Sequence, residues 1–367
     1  MTLAVLAMPA HAKEKAPIED TTTFIAPLTV PREKILKTVE EYFVPSPIEA
    51  SPPSFEIVSK TKEEGYESWY VHYSLEDGEL GHAWLLIPHE SALAKRDGSG
   101  RLPLVLALHG TGAEGKDRAI NRWPTPPKDA KEAGFRKRRA YGLALVKRGF
   151  LVFVPDQIGF GERSPLQRSK MYWDQLAEVR RQLKERHPDM GLNGKIVWDV
   201  RRALDFLVTL DKVDPDRIGV VGHSLGAWSS CMTMPVDQRI KAAVISHTGP
   251  LRWQPKLWSN TAFLENYLKV PTLTKMGAEF NQNLFYMLMA PRAQFVTWSI
   301  ADDYDQPPGI LEAARVISEY NRYVAHRDGV PFDFTLYLHP RGHDFPDDVR
   351  EAAYVWLTQR LSEKSVE

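Results

Sequence analysis

The segment Gly222-His223-Ser224-Leu225-Gly226 constrains this chain more than any other. The apolar run Ile218-Gly219-Val220-Val221 precedes it, and Leu225 to Met234 follows with helical spacing. A serine between two glycines at a strand-to-helix junction is the pattern of a nucleophile elbow. Side chains two positions either side of the serine would collide in so sharp a turn, so glycine fills both. The bend lifts a hydroxyl above the sheet, beside a helix N-terminus whose free N–H groups favour negative charge. A serine hydroxyl alone is a weak nucleophile and requires a base.

The surrounding chain supplies a matching framework. Phe55-Glu56-Ile57-Val58, Trp69 to Tyr73 and His82 to Ile87 are short strands separated by polar, Gly-containing turns, which reads as antiparallel β. The rhythm then changes. Leu104–Leu108, Leu151–Val154, Ile218–Val221, Ala242–Ile245, Phe295–Trp298 and Phe334–Leu338 are continuously apolar and mostly separated by helical patterns. Continuous apolarity means that both faces are covered, as in a parallel sheet flanked by helices. Ile196, Val200, Leu204 and Leu207 form one helical stripe; Val349, Ala353, Trp356, Leu357 and Leu361 form another. Asp214-Pro215-Asp216-Arg217 reads as a turn that introduces the strand before the elbow.

Three segments divide the chain: residues 1–12, a Pro-punctuated lead-in over 13–54 with a short amphipathic helix near Ile35 to Phe43, and one large domain over 55–367. Thr2 to Ala10 is small and apolar, and Ala10-His11-Ala12 fits a signal-cleavage rule, so periplasmic location or secretion is expected. Two spacers, near 162–193 and 249–289, exceed what a plain crossover needs and are expected to wall a pocket. The second is rich in aromatics and includes Trp253, an expected substrate contact.

Lys plus Arg equals Asp plus Glu at 47 each, so no overall field points to nucleic acid or an anionic membrane. Arg136-Lys137-Arg138-Arg139 is the one basic run, expected as a solvated helix face. No apolar stretch is long enough to span a bilayer. The single cysteine, Cys231, excludes an internal disulfide. No His, Cys and Asp set has the tight spacing of a zinc site, and neither metal nor cofactor is expected.

A base belongs after the last strand, where Leu338-His339-Pro340-Arg341-Gly342-His343-Asp344 offers two histidines. His343, in a Gly-flanked loop, can swing over the sheet, whereas His339 stays close to strand register. Neutral imidazole near pH 7 suits the exchange of a serine proton. The carboxylate that orients it belongs after the preceding strand, where Asp302, Asp303 and Asp305 crowd together. Asp302 is preferred and Asp303 is the alternative; an aspartate not so used is expected to serve solubility or capping. Donors for an oxyanion are the backbone N–H groups of Leu225 and of Thr111, in the loop His109-Gly110-Thr111-Gly112. His109, Gly110 and His223 are expected beside the substrate. The loop lacks the G-K-[ST] ending of a phosphate-binding Walker loop.

Assembled in the order Ser224, Asp302, His343, these residues resemble the α/β-hydrolase superfamily from about Phe55 onward. Asp156-Gln157-Ile158-Gly159-Phe160-Gly161-Glu162, Gly194 to Asp199, Val213 to Gly219 and Ala290-Pro291-Arg292 narrow the resemblance. Together they look like the dienelactone-hydrolase and acetyl-xylan-esterase-like branch of exported bacterial esterases. The elbow lacks the Cys and Arg neighbours of glucuronoyl esterases. The resemblance implies an α/β fold with a mostly parallel twisted sheet, antiparallel N-terminal strands, helices on both faces and cap-like insertions. It also implies a serine carboxylester hydrolase acting on small or oligosaccharide esters. The alternatives are a peptidase or amidase with the same triad, and a non-catalytic carbohydrate-binding relative.

Overall fold

The apolar runs alternate between two cores. On one side of the sheet Leu104, Leu106, Leu108, Val220 and Ile245 pack with Leu176, Leu204 and Met232. On the other, Val105, Ala107, Val221 and Val244 pack with Leu145, Tyr354 and Leu357. Each fully buried aliphatic side chain contributes roughly 1.5–3 kcal/mol, so both faces of such a strand favour apolar residues.

The computed structural model describes residues 52–76, 78–94, 99–167, 171–248, 283–302 and 307–362, with isolated helical positions between 33 and 40. Strands β1 (Phe55–Glu63), β2 (Tyr66–Glu76) and β3 (Glu79–Pro88) form an antiparallel meander. Strand β3 runs antiparallel to β5 (Leu151–Pro155). Strands β5, β4 (Leu102–Leu108), β6 (Val213–His223), β7 (Ile240–Ser246), β8 (Ala293–Ser299) and β9 (Phe334–His339) are parallel. The sheet order is β1-β2-β3-β5-β4-β6-β7-β8-β9. The chain leaves β4 for β5 on one side and returns to β6 on the other. That reversal opens a crevice at the carboxyl ends of β4 and β6, the usual ligand position in open α/β sheets.

The helices are α1 (Ala130–Arg139), α2 (Tyr141–Val146), α3 (Tyr172–Arg186), α4 (Leu192–Leu207), α5 (Leu225–Val236), α6 (Asn283–Met289), α7 (Pro307–Asp328) and α8 (Asp347–Ser362). The expected stripes are the buried faces of α4 and α8. The turn expected at Asp214–Arg217 proves to be part of β6. Pro103 pairs with Asp214 and Leu104 with Ile218, so Pro215 to Arg217 bulge from the ladder. Arg217 is buried there and donates to Asp214 Oδ2 at 2.7 Å. The 162–193 spacer contains α3. The signal-like segment, most of the lead-in and residues 249–282 lie outside the described residues.

Candidate active site

Ser224 links β6 to α5 with φ 56° and ψ −119°, a conformation costing about 1–3 kcal/mol for a residue with a Cβ. The neighbouring backbone enforces it. A methyl group on Gly222 would stand 2.1 Å from the Gly226 carbonyl, and one on Gly226 would stand 1.8 Å from the Leu108 carbonyl oxygen. Only two glycines let β4, β6 and the start of α5 meet so closely. Ser224 N–H donates to Ser246 O at 2.9 Å, and Ser224 O accepts the first bond of α5 from Trp228 N–H at 2.9 Å. Leu225 N–H therefore precedes the helical ladder, as the first donors of a helix do.

The structure brings His343 and Asp302 together. His343 lies in the loop after β9, turned by Gly342 at φ 63°, and Asp302 follows β8. Their Nδ1 and Oδ2 atoms are 2.7 Å apart; the carboxylate is 1% exposed and the imidazole 31%. With Nδ1 directed at a carboxylate, Nε2 is the nitrogen suited to take up a proton. The His343 ring lies 5.0 Å, centroid to centroid, from the ring of His223, the residue before Ser224. Asp303 lies outside the described residues, as does Trp253.

His343 sits on a bed of imidazoles. Ser246 Oγ lies 3.0 Å from His223 Nδ1 and 2.9 Å from His247 Nδ1. The His247 ring contacts those of His339 and His343 at 4.9 and 5.4 Å. Burial, followed by nearby cationic groups, pushes His223 well below the ordinary imidazole range. Burial also lowers His247 to about 3, and it lowers His339. These rings are therefore neutral near pH 7. His339 ends β9, is buried, and its Nδ1 accepts from Arg341 N–H at 3.2 Å.

The loop after β4 runs over the elbow: a methyl on Gly110 would meet Ser224 Cβ at 3.6 Å. The Thr111 carbonyl accepts a bond from the Arg118 guanidinium. His109 and His223, expected beside the substrate, are both buried. His109 Nδ1 donates to Gly110 O at 2.9 Å, and its Nε2 accepts from Gln157 N–H at 3.0 Å. Gln157 Nε2 returns a bond to His109 O at 2.5 Å, and Ser229 Oγ donates to Gln157 Oε1. Gln157 thus ties the ends of β4 and β5 to α5, a role its sequence position did not announce.

The basic run also needs correction. Arg136 and Arg139 are buried, not solvated. Arg139 Nη1 and Arg138 Nε hold the two oxygens of Asp344 at 2.8 and 2.7 Å, and Arg139 Nη2 reaches His343 O at 3.4 Å. Helix α1 thereby pins the loop that carries His343. Amphipathic spacing alone could not reveal this, because the partner lies 205 residues away.

A family model described as alpha/beta hydrolase fold matches residues 103–286. This chain belongs to that family. The Bacillus subtilis (strain 168) protein YtaP, named as a hydrolase, is 26% identical over 224 residues, covering 58% of this chain and 64% of that protein. The chain thus spans under two thirds of that relative's length. A glucuronoyl esterase from Solibacter usitatus superposes with a TM-score of 0.63 at 17% identity, covering 94% of this chain and 95% of that one. A candidate acetyl xylan esterase from Bacteroides fragilis NCTC 9343 gives 0.61 at 18% identity, covering 84% and 74%. At such identities the likeness is one of fold.

Proposed function

We propose that this alpha/beta hydrolase is a serine carboxylester hydrolase working through Ser224, His343 and Asp302. The observation that carries the reading is the 2.7 Å contact between His343 Nδ1 and the buried Asp302 carboxylate, on a loop alongside the elbow. His343 Nε2 takes the Ser224 hydroxyl proton while Oγ attacks the ester carbonyl. Asp302 stabilises the imidazolium and fixes its tautomer. The N–H groups of Leu225 and Thr111 hold the developing oxyanion. The alcohol leaves with the proton from His343. Water then attacks the acyl-enzyme, gives a proton to His343, and releases the carboxylic acid as Ser224 regains its hydrogen.

The solved structures of similar fold named as acetyl xylan and glucuronoyl esterases support esters of carbohydrates as the substrate class. The Thr2–Ala12 segment supports export. The test is hydrolysis of a short p-nitrophenyl ester and of acetylated xylo-oligosaccharides by wild type and Ser224→Ala. Turnover by the wild type alone is expected. Equal rates would end the serine mechanism. Cleavage of amides but not esters would favour the peptidase alternative.

A further inference from the structure

A second cluster of chemistry-bearing side chains lies on the β2–β3 hairpin. Register places His72 directly opposite His82, and Tyr70 opposite Trp84. Residues two apart on a strand share a face, so Tyr70, His72 and His82 project together. Glu162 joins them from the turn after β5. His72 Nε2 and His82 Nδ1 each lie 3.1 Å from the Tyr70 hydroxyl, which donates to Glu162 Oε2 at 2.5 Å. His82 Nδ1 stands 3.7 Å from Glu162 Oε2. The nearest donor atoms of His72, His82 and Glu162 all fall within 4.8 Å of one another.

We propose that His72, His82, Glu162 and Tyr70 form a site for a divalent transition-metal ion of the zinc type. Tetrahedral zinc with bonds of about 2.0–2.1 Å has ligand-to-ligand edges of about 3.3 Å. Four of the six edges run from 2.5 to 3.7 Å around that length, and the other two, from His72 to His82 and to Glu162, lie within 4.8 Å. Two imidazole nitrogens with a carboxylate and a phenol oxygen suit zinc or its neighbours, whereas calcium and magnesium favour oxygen alone.

The carboxylate is already oriented. Glu162 Oε1 accepts from Lys116 Nζ at 2.5 Å, and Asp156 Oδ2 receives both Lys116 Nζ at 2.8 Å and Glu162 N–H at 2.9 Å. Such outer partners fix ligand geometry. The Lys116 charge is met by the two carboxylates Asp156 and Glu162. His72 and His82 are partly exposed and the Glu162 side chain is 37% exposed, which leaves an entry path.

Without an ion, the phenol gives its hydrogen to Glu162, so both facing imidazole nitrogens act as N–H donors to Tyr70. On binding, each imidazole moves its hydrogen to the other ring nitrogen, with no net proton change. Tyr70 coordinates as phenolate and releases one proton to solvent. The ion would clasp the hairpin to the 156–163 loop, the loop through which Gln157 braces His109.

The experiment titrates chelator-treated full-length protein with zinc chloride, reading heat, proton release and the ultraviolet phenolate difference band. One ion per chain is expected, with one proton released and a raised thermal midpoint. His72→Ala and Glu162→Gln should each weaken binding at least about tenfold. Tyr70→Phe should abolish the proton release and the ultraviolet band. Far-ultraviolet circular dichroism checks that each variant is folded. The proposal is overturned if the wild type binds no zinc at micromolar concentration. Undiminished binding by a folded His72→Ala/His82→Ala variant would overturn it equally, by placing the ion elsewhere.

Discussion

Two groups of histidines occupy this molecule, and their surroundings give them opposite characters. His223, His247 and His339 lie buried behind the strand ends, in a row of rings against His343. His72 and His82 lie partly exposed on the hairpin, aimed at a phenol and a carboxylate. Burial makes the first group neutral packing and leaves His343 as the accessible imidazole beside them. Shared access to solvent makes the second group a set of donor atoms. Depth in the fold, more than residue type, decides which chemistry an imidazole serves.

The sharpest break in this comparison is expected at the sheet end. Ser224→Ala should lower kcat for a p-nitrophenyl ester by about 10⁶-fold, whereas loss of either hairpin histidine should leave that rate near wild type. Asp302→Asn should cost about 10⁴-fold in kcat, with Asp303→Asn close to wild type. The reverse ranking would reassign the acid.

Acid sensitivity separates the buried rings by stability. Burial holds His109 down at about 4. Between that value and the ordinary imidazole value of about 6.5 the unfolded chain binds more protons than the folded one. The stabilisation is therefore fully present above about pH 6.5 and is lost as pH falls toward 4. His109→Gln should reduce the loss of urea-unfolding stability across that window by on the order of 3 kcal/mol, flattening its pH slope. An unchanged slope would show that another group carries it.

Arg139→Gln should leave Asp344 held by Arg138 alone among the arginines and loosen the His343 loop, lowering kcat by up to about 10²-fold with KM little changed. Partial recovery in Arg139→Lys would separate positioning from lost packing. The smallest effect belongs to the hairpin: Tyr70→Phe should reduce metal-free stability by about 1 kcal/mol, read from the urea midpoint.

The elbow was legible because its glycines obey a steric rule local to five residues. The parallel strands were legible because two covered faces favour long apolar runs. Chain order made Asp302 and His343 candidates, since each follows a strand whose apolar run was visible. Arg139 and Gln157 were not legible, because their partners are distant in sequence and no short pattern encodes them. The His72 and His82 pairing depends on hairpin register, which the linear spacing of ten residues conceals. The Pro215–Arg217 bulge was half legible: its turn-forming residues were evident, but not that the strand resumes pairing on both sides.

The serine stands at the end of β6, whereas the imidazole and its carboxylate follow β9 and β8. A polypeptide severed between β7 and β8 would leave the proposed nucleophile on one piece and its proposed proton partners on the other. On the proposed mechanism, neither piece could turn over an ester alone. Reassembly of the two halves would thus announce itself as colour from a chromogenic substrate, which makes this architecture a natural candidate for a split reporter.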